Sequence, residues 1–136
     1  MSRIHIETIN LKKTFEHVNG TITLFSNFNI KIKEGELVAL VGPSGSGKSS
    51  FLHLLALLDE PTQGKIILNK VDTRKLNNIE KDEIRRRSIS IIFQDNNLLT
   101  DFTAIENVKM PLIIKNDNDE TISKKAEKSL KDVKIF

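Results

Sequence analysis

An α/β fold is predicted by three observations. The first third of the chain is patterned as strands. A glycine-rich loop then joins an apolar β-type run to a leucine-rich helical segment, and further strand and helix signals follow it. Ile4, Ile6 and Ile9 form a short β-rich run, and Ile22 and Leu24 alternate with threonines. Phe28, Ile30 and Ile32 alternate with Asn29, Lys31 and Lys33, a period of two with one buried face. Asn19-Gly20 and Glu34-Gly35 are turn signals between these runs. Leu37 to Val41, bounded by Gly35 and Gly42, predicts a strand buried on both faces. Ser49 to Leu58 predicts a helix that stops at Asp59-Glu60-Pro61. Lys65 to Asn69 predicts a strand, Asn78 to Arg87 a short helix, and Ile89 to Phe93 a second buried strand. Thr103-Ala104-Ile105-Glu106 fits a capping box and opens a helix closed by Pro111. Asn116 to Asp119 reads as a polar loop, after which Ile122, Ala126, Leu130 and Val133 share one helical face.

Composition narrows the function classes. The chain has 136 residues, is 38% hydrophobic and 29% charged, and so predicts one folded domain and not a disordered tail. It has no cysteine, which excludes disulfides, thiolate metal sites and a cysteine nucleophile. The longest apolar stretch, Phe51 to Leu58, is interrupted by His53 and falls far short of the ~20 residues that cross a bilayer. The start, Met1 to Glu7, has no apolar run and carries an early acid, so no signal peptide and a soluble cytoplasmic protein are expected. Net charge is +3, but isoleucine, lysine and asparagine supply 46 residues, the types an AT-rich genome favours. The lysine excess therefore does not by itself point to an acidic partner. The tight basic cluster Arg85-Arg86-Arg87 has only Phe93 nearby for stacking, and tyrosine and tryptophan are absent; no nucleic-acid partner is expected.

The informative stretch is Gly42-Pro43-Ser44-Gly45-Ser46-Gly47-Lys48-Ser49-Ser50, which satisfies G-x-x-x-x-G-K-[ST] between a β run and a helix. Glycines let successive backbone N–H groups point inward as an anion-binding nest. The following helix adds its free N–H groups and the positive end of its dipole. Lys48 is expected to reach the β- and γ-phosphates of a nucleoside triphosphate, and the Ser49 hydroxyl to bind Mg²⁺. A chance match in a chain of this length is below about 1%, so a glycine turn that binds nothing is the minor reading. Asn69-Lys70-Val71-Asp72 spells the N-K-x-D pattern by which GTPases read guanine. It stands too close to Lys48 for the strands such a fold interposes, and no D-x-x-G sequence occurs. It reads as the turn after a strand.

The residues flanking the loop carry a family resemblance. Val38 to Ser50, Leu54-Leu55 and Pro61-Thr62-Gln63-Gly64 resemble an ABC-transporter ATPase, in which this loop is followed by a helix and a P-T-x-G turn. Ile91-Ile92-Phe93-Gln94 resembles the family's Q-loop, whose glutamine touches Mg²⁺ and the attacking water and links the nucleotide to the membrane subunit. Phe15 falls where the family places an aromatic that stacks on adenine. Leu98-Leu99, Asp101 to Val108 and Met110-Pro111-Leu112 resemble the lipoprotein-releasing ATPases, as does Leu54 to Thr62. The macrolide-exporter and cell-division ATPases of the same branch are the alternatives.

The resemblance implies a P-loop NTPase fold. Residues 1–93 would form a β-rich phosphate-loop core with an antiparallel part, and residues 94–136 the Q-loop and the start of the helical subdomain. It implies ATP and Mg²⁺ as ligands, with Phe15, the loop residues Gly42 to Ser50, and Gln94 as the site. It also implies transmembrane permease subunits and a second ATP-binding subunit as partners, at the cytoplasmic face of the inner membrane. Ser50 departs from the family's threonine, and Lys70 stands where an N-G turn is common. The chain ends before an L-S-G-G-Q-type signature, a Walker B strand and a switch histidine, so the sequence is expected to be the N-terminal half of a cassette. A split or decayed gene, a shortened product or an incomplete record would each give that. On this reading ATP hydrolysis belongs to the parent, and a remnant that only binds nucleotide is the second class of function. His53 is expected to be a packed or partly exposed helix residue, and His5 and His17 lack partners at metal-ligand spacing.

Overall fold

The computed structural model describes residues 3–95, 97–115 and 118–135; of the polar loop, Asn116 and Asp117 lie outside the described residues. The chain divides into two compact units, Met1–Arg85 and Arg86–Phe136.

The first unit is built on an antiparallel sheet of four strands in the order β2-β1-β3-β4. Strands β1 (Ile4–His17) and β2 (Gly20–Lys33) are each 14 residues long, so the separate runs read from the sequence merge into one long hairpin. Its loop is Val18-Asn19, between the paired residues His17 and Gly20. The hairpin is interrupted by register shifts, one between Thr8 and Leu11. Asparagines occupy the left-handed positions there, Asn10 at φ 48° and Asn27 at φ 51°, the residue type that tolerates them best after glycine. Asn29 ties them together: its Oδ1 accepts from the Asn10 N–H at 2.8 Å, and its Nδ2 donates to the Asn27 carbonyl. The buried Thr8 hydroxyl donates to the Phe28 carbonyl and accepts from the Ile30 N–H, so the irregularity leaves no orphan there.

Strand β3 (Gln63–Leu68) pairs with β1, and β4 (Val71–Asp72) with β3. Gly64 enters β3 at φ 84°, where a Cβ would lie 2.3 Å from the Asn10 carbonyl oxygen. Only glycine allows β3 to approach the β1 bulge so closely. Leu11, Leu54 and Ile66 are essentially fully buried and mark the core of this unit.

Helix α1 (Lys48–Leu55) stops three residues before the expected end at Leu58. Leu57 turns left-handed at φ 58°, its N–H bonds the Leu54 carbonyl, and the Leu58 N–H bonds the His53 carbonyl at 2.9 Å. That is a Schellman stop with leucine in the usual glycine position. Burial of Leu57 at 7% exposure offsets the strained backbone. Helix α2 (Asn78–Ser88) forms where expected.

Two expected strands are absent. Leu37 to Val41 makes no ladder, and Leu37 and Val41 are exposed. Ile89 to Phe93 is also outside any strand, with Ile92 fully exposed. The physical reason is the same for both. A run apolar on both faces is a strand only when neighbours take its backbone N–H and C=O groups, and no described segment pairs with either run.

The second unit holds α3 (Ala104–Ile114) and α4 (Asp119–Asp132), which pack on each other. The capping box opens α3 as expected, but Pro111 lies inside the helix and does not close it. Proline removes one N–H donor, while its carbonyl still accepts from the Lys115 N–H. Ile122, Ala126 and Leu130 of α4 are buried as the helical spacing predicts; Val133, past the helix end, is exposed. Among the described residues, no helix is long and apolar enough to cross a membrane.

Candidate phosphate-binding site

Residues 42–47 form a loop, exposed as far as Ser46 and half-buried at Gly47, that runs directly into α1. Gly45 and Gly47 are left-handed, at φ 77° and 86°. A Cβ on Gly47 would also press on the Leu24 side chain and the Phe25 ring at 3.1–3.3 Å. Gly47 is the N-cap of α1, and no side chain caps the helix. Helices α3 and α4 start differently, each with its own side-chain cap, Thr103 and Asn118. The first-turn N–H groups of any helix lack intrahelical acceptors. At α1 they are therefore left for solvent or an external anion.

The half-buried Lys48 donates from Nζ to the Gly42 carbonyl at 2.9 Å and the Pro43 carbonyl at 2.7 Å. It folds its ammonium back over the loop that precedes it. The Ser46 N–H turns onto the Pro43 carbonyl at 3.3 Å, and Ser44 and Ser49 are exposed. Beneath the loop is an aromatic floor. Phe25, Phe28 and Phe51 meet pairwise at centroid distances of 5.0–6.0 Å in tilted and edge-on geometry. These rings fix α1 under the loop, since Phe51 is one turn into the helix and its N–H bonds the Gly47 carbonyl. Uncapped amides, an ammonium and a hydroxyl thus converge at one helix end, a donor set suited to an oxygen-rich anion.

The other expected site residues are distributed as follows. Phe15 lies near the end of β1 in the same unit, 43% exposed, with the Lys13 Nζ 4.8 Å from its ring centroid. Gln94 belongs to the second unit, where it stands exposed in a bend. Ser50 is half-buried in the first turn of α1. His53 is exposed on α1, and the Asn19 N–H donates to His17 Nδ1. The N-K-x-D segment serves local structure. Asn69 and Lys70, at φ 48° and 70°, form the two-residue type I′ turn between β3 and β4. Asp72 caps the turn at Thr73–Lys75 and pairs with Arg74 at 3.0 Å. Hydrogen bonds from the Arg74 side chain hold the Asp72 carboxyl below its usual range.

Two features went unread in the sequence. Lys13, only 8% exposed, binds Asp59 at 2.7 Å and the Glu60 carbonyl at 2.9 Å. Its one sequence signal is a lysine two residues after the core residue Leu11. In the second unit the Asn107 amide accepts from the Leu99 N–H and donates to the Leu99, Phe102 and Thr103 carbonyls. It shapes the Leu98–Thr103 loop around the start of α3.

The family model described as ABC transporter matches residues 25–136. The ABC transporter ATP-binding protein MJ0796 of Methanocaldococcus jannaschii is 43% identical over 81% of this chain and 47% of its own length. The lipoprotein-releasing system ATP-binding protein LolD of Hyphomonas neptunium is 41% identical over 80% of this chain and 48% of its own. The chain thus spans about half the length of the curated relatives it matches. A dimeric post-hydrolysis structure of MJ0796 bound to ADP and Pi superposes with a TM-score of 0.85 at 40% identity, covering 93% of this chain and 56% of that one. A second dimeric MJ0796 structure gives 0.86. The matched span, the identity and the shared fold all agree: this chain belongs to the ABC transporter family and carries the N-terminal portion of its ATP-binding cassette.

Proposed function

We propose that this chain is the nucleotide-binding part of an ABC transporter ATPase, and that residues 42–50 hold the phosphates of ATP. The observation that carries the reading is the uncapped start of α1 behind a left-handed glycine loop, with Lys48 gathered to the same end. The loop amides and the first turn of α1 would bind phosphate oxygens. Lys48 would exchange its two carbonyl acceptors for the β- and γ-phosphates, and the Ser49 hydroxyl would be a Mg²⁺ ligand. Mg²⁺, when bound, neutralises phosphate charge and is held largely by phosphate and water oxygens. Phe15 would stack on the adenine, and Gln94 would orient water and complete the metal shell. ADP and Pi in the MJ0796 structure support a nucleotide at this position.

The parent protein would pair two cassettes and work on permease subunits at the cytoplasmic membrane face; the dimeric MJ0796 structures support the pairing. Its transport role is proposed to be lipoprotein release, as in the LolD relatives. MJ0796 matches at an identity similar to that of LolD, so the match does not single out lipoprotein release; a macrolide-exporter or cell-division type complex is the second reading. In functional terms, residues 94–136 would contribute the Q-loop and the first part of the helical subdomain. A polypeptide of this sequence alone is expected to bind ATP without steady turnover. Gln94 is a neutral amide and cannot accept the proton of the attacking water, a role worth about 10²–10⁴-fold.

The test is titration of a fluorescent ATP analogue into the wild-type chain and Lys48→Ala. Removing a phosphate-paired cation is expected to cost about 1.5–3 kcal/mol, roughly 10- to 150-fold in Kd. Equal affinities would overturn the assignment. GTP competing far better than ATP would return the N-K-x-D segment to consideration.

A further inference from the structure

Lys13 is a lysine on an inward register of β1, and such side chains are rarely buried unless paired. Its ammonium meets three groups. The Asp59 carboxylate lies at 2.7 Å, the Glu60 carbonyl at 2.9 Å, and the Phe15 ring centroid at 4.8 Å. We propose that Lys13 is a positioning residue for the base end of the nucleotide: it orients the Phe15 ring and ties it to the helix that carries the phosphate loop. The proposal rests on the reading of Phe15 and the loop given above.

The connection is short and specific. Asp59 follows the last residue of α1 by four positions, so the ion pair joins β1 to the trailing end of the helix whose leading end is Lys48. Two further hydrogen bonds, one of them between backbone groups, flank it along the same seam. The Thr62 N–H donates to the Lys12 carbonyl at 2.9 Å, and the Thr14 N–H to the Thr62 hydroxyl at 3.0 Å. A cation held over an aromatic face restricts the ring's orientation. Phe15 keeps 43% of its surface open, which is what a base would cover. Base platform and phosphate loop are therefore held at one separation before any ligand arrives, and preorganisation of that kind strengthens binding by reducing what must be ordered. An apolar side chain could fill the space under β1 without desolvating a charge. The ammonium is needed for the ring and for Asp59.

The experiment compares ATP with inorganic tripolyphosphate, both with Mg²⁺, by calorimetric titration of the wild-type chain, Lys13→Met, Lys13→Arg, Asp59→Asn and Phe15→Ala. Tripolyphosphate uses the loop alone. Lys13→Met is expected to weaken ATP by roughly 3- to 30-fold, with tripolyphosphate affinity unchanged. Lys13→Arg is expected to restore most of the loss. Thermal melts monitor folding; if Lys13→Met does not fold, Asp59→Asn, which removes the ion pair at nearly constant shape and leaves the Glu60 carbonyl as acceptor, carries the same comparison. Equal loss for both ligands would make Lys13 merely structural and overturn the proposal, as would no loss for either. Two other results overturn the underlying reading instead. Wild-type chain that binds neither ligand refutes the loop assignment, and Phe15→Ala with undiminished ATP affinity refutes the base platform.

Discussion

The Ile66-Ile67-Leu68 end of strand β3 and the run Leu37–Val41 are both short apolar runs that each hold two β-branched residues, and both belong to the first unit. In β3, Ile66 is 1% exposed and paired against Thr8 of β1. In the other run, Leu37 is completely exposed and no ladder forms. The difference teaches that a strand is made by its neighbours and not by its own propensity. β3 has β1 beside it, bent to receive it at Asn10 and Gly64. Leu37–Val41 has the composition of a central strand, and the described residues offer it no partner. The phosphate loop inherits this contrast, since one of its ends is anchored by α1 and the phenylalanine floor while the other follows the unpaired run.

The largest expected effect separates these two regions directly. Ile66→Ala should destabilise the chain by about 2–5 kcal/mol, the usual range for a fully buried aliphatic. Leu37→Ala should change stability by no more than about 0.5 kcal/mol. Denaturant melts of both variants check this, and similar losses would mean that the run is packed after all.

A middle-sized effect contrasts the capped start of α3 with the uncapped start of α1. Thr103→Ala removes the cap and should cost about 1 kcal/mol. The Thr103 hydroxyl, hydrogen-bonded to the Glu106 carboxylate at 2.6 Å, holds that carboxyl below its usual range. Glu106 and Asp72 therefore lend stability that is complete above the ordinary carboxylate range and is lost as pH falls through their lowered values. Acid titration of the melting temperature should show the loss, and Glu106→Gln with Asp72→Asn should flatten it. No counterpart is expected at α1, where Gly47 has nothing to titrate.

The smallest expected effect is a gain. Lys70 holds φ 70° in the β3–β4 turn, a left-handed position that costs a lysine about 1–2 kcal/mol. Lys70→Gly should stabilise by roughly 0.5 kcal/mol after the added chain entropy of glycine is subtracted. A lower melting temperature would show that the Lys70 side chain earns its place by contacts outside the turn.

Legibility in the sequence followed the range of the forces involved. The glycine turn ahead of α1, the capping box and the buried α4 positions were readable because each rests on residues within one or two turns. The end of α1 was not, because Leu57 takes the left-handed stop that sequence signals reserve for glycine, and its burial supplies the compensation. Pro111 misled for a similar reason: a proline closes a helix locally, yet α3 continues past it. The two missing strands failed on a non-local requirement, a partner. Lys13 was invisible because its carboxylate partner lies 46 residues away, where spacing carries no information.

The central claim, that residues 42–50 receive the phosphates of ATP, is tested most directly by amide hydrogen exchange with and without Mg²⁺ and ATP. The account predicts slowed exchange across the loop and the first turn of α1, little change at Ile66 and its β1 partners, and no protection in Lys48→Ala. Protection that spares the loop, or that survives unchanged in Lys48→Ala, would contradict it.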